Sequence, residues 1–192
     1  MIHAAVADMA SMRRRAGIAT ALVALAVSSG AAVGDSPAAP PAGSRVESRL
    51  ATLEVAILVR INEVRRARGL SPLRRNRRLA AAADFHSRDM GRRGYFTHES
   101  ADGTPFWRRI QRFYRSRGFR SWSVGENLLW ASDHFGAALA VREWMRSPPH
   151  RKNILSRSWR EIGTGAAYFA RAPGGYEGRS VTIVTTDFGW RS

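Results

Sequence analysis

From Leu50 onward apolar residues return at intervals of three and four: Leu50, Leu53, Ile57, Leu58, Ile61 and Val64. That spacing predicts one buried helix face, with Arg60, Glu63, Arg65 and Arg66 on the other side. Gly69 stops the helix and Ser71-Pro72 supplies a turn. A second helix is predicted from Asn76, a suitable N-cap, to Gly91, with Leu79, Ala82, Ala83, His86 and Met90 facing inward. A third, capped by Thr104 with Pro105 at its first position, carries Phe106, Trp107, Ile110, Phe113 and Tyr114, read as core, and ends by Gly118. Phe119 to Trp130 is strand-like, with an interruption at Val124–Asn127. Asp133 is placed to cap a fourth helix over Phe135–Arg146, which Pro148-Pro149 ends; His150–Leu155 reads as one turn or a short helix. Ile162–Phe169 and Val181–Phe188 are β-rich and flank Pro173-Gly174-Gly175, a hairpin signal. Three or four helices with three strands, out of strict alternation, predict an α+β domain with helices over a mainly antiparallel sheet.

The pattern changes before residue 46. Arg13-Arg14-Arg15 precede an apolar run, Ala16–Val27, and then small residues, Ser28–Gly34. A basic start, a short apolar stretch and a small-residue exit read as a secretory signal over residues 1–34. The run is short for a membrane span, and Met12 is an alternative start. Residues 35–45, rich in Pro, Ala and Ser, read as a linker. The folded domain is expected over 46–192.

Charge alters the picture more than composition does. Thirty-one basic residues against 15 acidic ones give a net charge of +16 and a pI near 11.7. Lys152 is the single lysine. Such a surface suits an anionic envelope polymer, nucleic acid, or no partner at all, being simply solvated. The arginines are spread over every predicted helix, unlike those of a dedicated nucleic-acid reader. The absence of cysteine removes disulfides, thiolate catalysis and sulfur-ligated zinc.

The candidate chemistry lies mostly in Val124–Gly165, with His98 outside it. His98 and His150, 52 positions apart, sit just beyond predicted helices. Two histidines with a carboxylate such as Glu126 suit zinc with an open position, though no HExxH-type local signature accompanies them. Ser147 lies three positions before His150, but it has no glycine elbow and no oxyanion hole in view. It and Asn153 are expected to bond backbone groups around the proline break. Glu143, beside Arg142 and Arg146, is expected in a surface ion pair, and His86 in a bond to a neighbour. Gly125 and Gly163 are expected to hold the backbone, by positive φ or by close approach.

Five ordered motifs carry a family resemblance: Asn62–Leu73 (N-E-x-R-x-x-x-G-L-x-P-L), Tyr95-Phe96-Thr97-His98, Gly125-Glu126-Asn127-Leu128, Trp144–Leu155 and Glu161–Gly165. Together they resemble the bacterial branch of the CAP superfamily, also called SCP-like, over about Ala51–Gly189. The resemblance implies a three-layer α-β-α sandwich, export, and a cleft lined by two histidines and two glutamates. His98, Glu126 and His150 match three of these; the fourth falls near Ser147, which is not acidic. An incomplete tetrad favours a secreted, monomeric binding module for an envelope polymer, lipid or other extracellular ligand, with a divalent-cation (zinc) site at His98 and His150. The alternative is a metal-assisted hydrolase acting on protein or cell wall, with Glu126 as general base. Export argues against a nucleic-acid partner.

Overall fold

The structure is a computed structural model describing residues 2–3 and 42–192. Apart from Ile2 and His3, the expected signal, 1–34, and most of the linker lie outside the described residues. Helix α1 spans Ala42–Arg66, so it begins inside the stretch read as linker. It is followed by β2 (Arg74–Arg75), α2 (Arg77–Arg93), α3 (Phe106–Phe113), β3 (Trp122–Ser132), α4 (Ala137–Arg146), α5 (Pro148–Leu155), β4 (Glu161–Phe169) and β5 (Val181–Arg191). With β1 (Ile2–His3), the sheet order is β1-β3-β5-β4-β2. The β3–β5 and β4–β5 ladders are antiparallel, and the two-residue β2 joins β4 in parallel. Among the described residues no helix is long and apolar enough to cross a membrane.

Strand alternation divides the core between two faces. Leu129, Ile162, Ala166, Val184 and Phe188 point to one face and pack with Ile57, Ile61, Ala140, Trp144 and Ile154 from α1, α4 and α5. Leu128, Trp130, Val181 and Ile183 point to the other and meet Met90 of α2. Leu79 and Ala82 of α2 join Ile110 and Tyr114 there. This is the α-β-α sandwich expected from the motifs. Helix α2 lies very close to the sheet because β4 presents glycines beneath it. A Cβ on Gly163 would sit 2.0 Å from the Ala80 nitrogen, and one on Gly165 2.1 Å from that of Asp84. Close approach is therefore what Gly163 provides; its φ is not positive.

Several local expectations are corrected. The strand through Val124–Asn127 is unbroken, paired with β5 residue by residue from Trp122 to Ser132. Gly125 admits the Asn153 amide and the Trp159 ring, 3.0 and 2.9 Å from where its Cβ would be. Asp133 caps nothing; it has φ of 57°, and Gly136 precedes α4. Pro105, not Thr104, stands at the cap position of α3. The aromatic residues of α3 are only partly core, since Trp107 is 40% exposed.

Candidate functional site

The helices deliver two histidines to the neighbourhood of Glu126 from opposite layers. Asn76 caps α2 through bonds to the Arg78 and Leu79 N–H groups, and Gly94 ends it in the left-handed region. The chain then turns through Tyr95–His98. His86, fully buried on α2, holds this turn by donating Nε2–H to the Thr97 carbonyl at 2.9 Å. The carbonyl must accept, so Nε2 carries the proton. Burial lowers the His86 pKa from 6.5 to about 4, with the Arg109 charge adding to the effect and Glu126 opposing it. His150 comes from the other layer, in the first turn of α5. Its carbonyl accepts from the buried Asn127 amide at 3.1 Å. The Asn153 amide ties α5 to the Glu126 carbonyl and to the Asn127 side chain.

Glu126 is the centre of the arrangement. Its Oε1 accepts from His98 Nδ1 at 2.8 Å, and its Oε2 pairs with Arg109 of α3. The Glu126 and Arg109 side chains are 1% and 0% exposed, whereas that of His98 is 37% exposed. Arg109 also donates to the His98 carbonyl at 2.8 Å. One guanidinium thus fixes both the backbone of His98 and the carboxylate that orients its ring. Burial by itself would raise the Glu126 pKa; the His98 bond and the Arg109 charge outweigh it and hold the carboxyl below its ordinary value. Nδ1 is directed at Glu126 and Nε2 is the ring nitrogen left to other partners, the arrangement a carboxylate gives a metal-ligating or basic histidine.

Asp187 was not anticipated. It is Glu126's register partner on β5, with Gly163 opposite it on β4, and it is fully buried. Neither of its oxygens has a donor among the described residues. Burial, and then the Glu126 charge, push its pKa well above the usual carboxylate range despite Arg109. Two neighbouring buried carboxyls cannot both ionise cheaply; here Glu126 keeps the charge and Asp187 the proton. The signal available in the sequence was an acid inside the run Val181–Trp190, otherwise apolar, Thr and Gly. Arg109 gave none, standing beside the exposed Arg108 in an arginine-rich helix.

The other candidates fall as follows. His150 is buried, its Nδ1 without a partner among the described residues. Burial, and then the His98 charge, lower its pKa from 6.5 to about 4, so it is a neutral imidazole that feels His98. His98, Glu126 and His150 do not form a three-ligand metal cluster, and none of three or more His, Asp or Glu residues occurs among the described residues. The Ser147 hydroxyl is buried without a partner and does not bond the backbone as expected, whereas the Asn153 amide does. Glu143 pairs with Arg142 and Arg146 on the surface side of α4. Two concavities lie elsewhere. One of about 420 Å³ is flanked by Leu53 and Phe135, and another of about 470 Å³ by Val64 and Met145. Neither is lined by His98, Glu126 or His150.

The three-layer sandwich is that of the SCP-like class of domain. Residues 58–185 match the family model described as the cysteine-rich secretory protein family, CAP, and the chain belongs to that family. It does so without a single cysteine. The uncharacterized protein YkwD of Bacillus subtilis is 33% identical over 119 residues, 62% of this chain and 44% of that protein. The uncharacterized membrane protein YlbC of the same organism is 31% identical over 114 residues, 59% of this chain and 31% of that protein. The chain thus spans less than half the length of these relatives. An extracellular protein containing an SCP domain from Bacillus anthracis superposes with a TM-score of 0.60 at 26% identity, covering 79% of this chain and 44% of that one. An outer surface protein of Borrelia burgdorferi shares the fold, with a TM-score of 0.52 at 21% identity over 71% of this chain and 90% of that one.

Proposed function

We propose that this chain is a secreted CAP-domain binding module of the cell envelope, engaging its ligand at the rim between His98 and His150. One observation carries this reading: both carboxylate oxygens of Glu126 are engaged, by His98 and by Arg109, in a side chain 1% exposed. A general base must come within reach of the proton it takes, directly or through one water, and the buried Glu126 carboxylate is directed at His98 and Arg109. It serves instead to orient His98. Extracellular placement is supported by the likeness to the extracellular SCP-domain protein of Bacillus anthracis and by the secretory pattern of residues 1–34.

The donor set at the rim fits a divalent cation such as zinc in part. His98 presents Nε2, and His150 is a neutral imidazole with a ring nitrogen left unpartnered. Two imidazoles make an open site, with the remaining positions left to water or ligand. A bound cation would polarise a carbonyl or phosphoryl oxygen of the ligand. The protein's own contribution is fixed orientation: Arg109 and Glu126 hold His98, and Asn127 and Asn153 hold α5 and with it His150.

Zinc titration by calorimetry tests this, using the wild type and the His98→Ala and His150→Ala variants. Binding is expected in the wild type and at least about tenfold weaker in each variant, the usual scale for lost support of a metal. Retention of anionic wall polymer or co-purified lipid tests the ligand side. A wild type that takes up neither cation, polymer nor lipid removes the proposal. The hydrolase reading keeps one supporting observation, the carboxylate–imidazole pair itself. Zinc-dependent turnover of a peptide or wall fragment, abolished in His98→Ala, would establish it instead.

A further inference from the structure

Between Glu63 and Asp84 the chain carries seven arginines and no acidic residue. One of them, Arg65, is buried and acts as a hub. Its guanidinium donates to the carbonyls of Ser71, Ile154 and Ser156 at 2.8–2.9 Å. The end of α1, the loop into β2 and the end of α5 therefore converge at one place. β2 closes the arrangement: the Arg74 N–H donates to the Arg160 carbonyl, and Arg160 bonds the Arg157 carbonyl. Around this hub Arg74, Arg75, Arg77, Arg78, Arg157 and Arg160 are all exposed.

These charges are poorly compensated within the chain. Arg77 and Arg78 occupy the first two positions of α2, whose first turn holds no acid, so cations stand at the positive end of a helix dipole. Glu54 and Glu161, the acids whose pKa values respond to Arg75 and Arg74, are already engaged. Glu54 accepts from the Ala166 N–H, and Glu161 from Asn76 and the Tyr114 hydroxyl. Some exposed arginines elsewhere stand in ion pairs, as in Arg60–Glu63, Arg88–Asp84 and Arg179–Glu177, whereas none of the six around the hub does among the described residues. The cluster also lacks an apolar anchor: the exposed large hydrophobics are Val55, Val59, Phe85, Trp107 and Phe119, none of them within it. A membrane-binding surface would add such residues. Exposed guanidinium forks without them suit a soluble chain of repeated phosphates, which forks grip two oxygens at a time.

We propose that the arginine cluster at the β2 edge, formed by the α1–β2–α2 connection and the α5–β4 loop, is the docking surface for a linear phosphate-bearing envelope polymer. The choice of polymer rests on the extracellular binding reading above; the surface itself does not involve the His98–His150 rim. The probe is soluble poly(glycerol phosphate), with phosphatidylglycerol vesicles and duplex DNA as parallel arms, each titrated over a range of salt.

Arg77→Gln, Arg78→Gln and Arg157→Gln together are compared with an equal charge removal on the α3–β3 side, Arg115→Gln, Arg117→Gln and Arg120→Gln. All six positions are exposed, so both variants should melt like the wild type. The cluster variant is expected to bind the polymer at least about tenfold more weakly at moderate salt, with the log–log salt slope reduced by about 2, as for three lost contacts on a single-stranded polyphosphate. The control variant should lose less than about threefold. Equal losses in the two variants would make the binding a matter of net charge and overturn the proposal. So would tighter wild-type binding to vesicles or to DNA than to the polymer. Zinc titration of the cluster variant, expected to match the wild type, keeps this result separate from the fate of the rim.

Discussion

Adding one carbon to Gly163 tests the close seating of α2 on the sheet. The new Cβ would lie 2.0 Å from the Ala80 nitrogen, 2.2 Å from the Leu79 carbonyl carbon and 2.7 Å from the Ala80 Cα. All three are backbone atoms of α2, so no side-chain rotation relieves the clash. Reaching even a tight contact of 3.0 Å moves the helix by about 1 Å. A gap of that size forfeits a quarter to a half of each contact's attraction, and Leu79, Ala82, Ala83 and Met90 all depend on that interface. Overpacking usually costs 1–3 kcal/mol; with backbone as the obstacle we expect about 3 kcal/mol for Gly163→Ala and more for Gly163→Val. At this domain size that is a fall of about 6–12 °C in Tm. Thermal unfolding by circular dichroism measures it. Gly43→Ala is the control: nothing lies within 4 Å of its Cβ, it sits in the first turns of α1, and alanine there should be neutral or stabilising. A Gly163→Val protein melting within about 2 °C of the wild type would refute the reasoning.

Three other outcomes follow from the buried polar groups. Glu126→Gln leaves the Arg109 guanidinium buried without its carboxylate, and urea titration should record a loss of about 3–5 kcal/mol. Asp187→Asn removes a carboxyl whose pKa is raised in the fold. The folded state then holds its proton above the unfolded value of 3.8, so wild-type stability falls as pH rises. The variant should gain on the wild type in urea titrations at pH 8 and lose that advantage near pH 4; a constant difference across this range would contradict it. His86 has the opposite sign. Its pKa drops from 6.5 to about 4 on folding, so its contribution is present above pH 6.5 and lost as pH falls toward 4. His86→Gln, which keeps a donor for the Thr97 carbonyl, should show a flatter Tm profile across that interval.

The helices were legible because their apolar spacing and punctuation agree: Asn76 caps α2 as its position suggests, and Pro148-Pro149 separate α4 from α5. The unbroken run of β3 was not. A glycine within a strand looks like a break, and only the tertiary contact of Asn153 and Trp159 explains it. β2 was illegible for a related reason: two exposed arginines have no β pattern, and Arg74 and Arg75 are in a strand only because β4 runs beside them. At the site, the family resemblance singled out His98, Glu126 and His150, and the fold sets His98 against Glu126. The resemblance could not find Arg109 or Asp187, because their roles come from register and burial. Glu126 meets Asp187, 61 positions further along the chain, across the β3–β5 ladder.

The Arg65 hub bears on the order in which the chain assembles. Its guanidinium reaches carbonyls 89 and 91 positions further along the sequence. The end of α1 is complete early and locally, but its fastening waits until α5 has been brought back across the sheet. Contacts of such separation form late in folding, after the loop entropy has been lost. An interaction absent from the transition state governs how fast the native state opens rather than how fast it is reached. The lifetime of the folded state, rather than the speed of reaching it, is therefore what Arg65 is expected to govern.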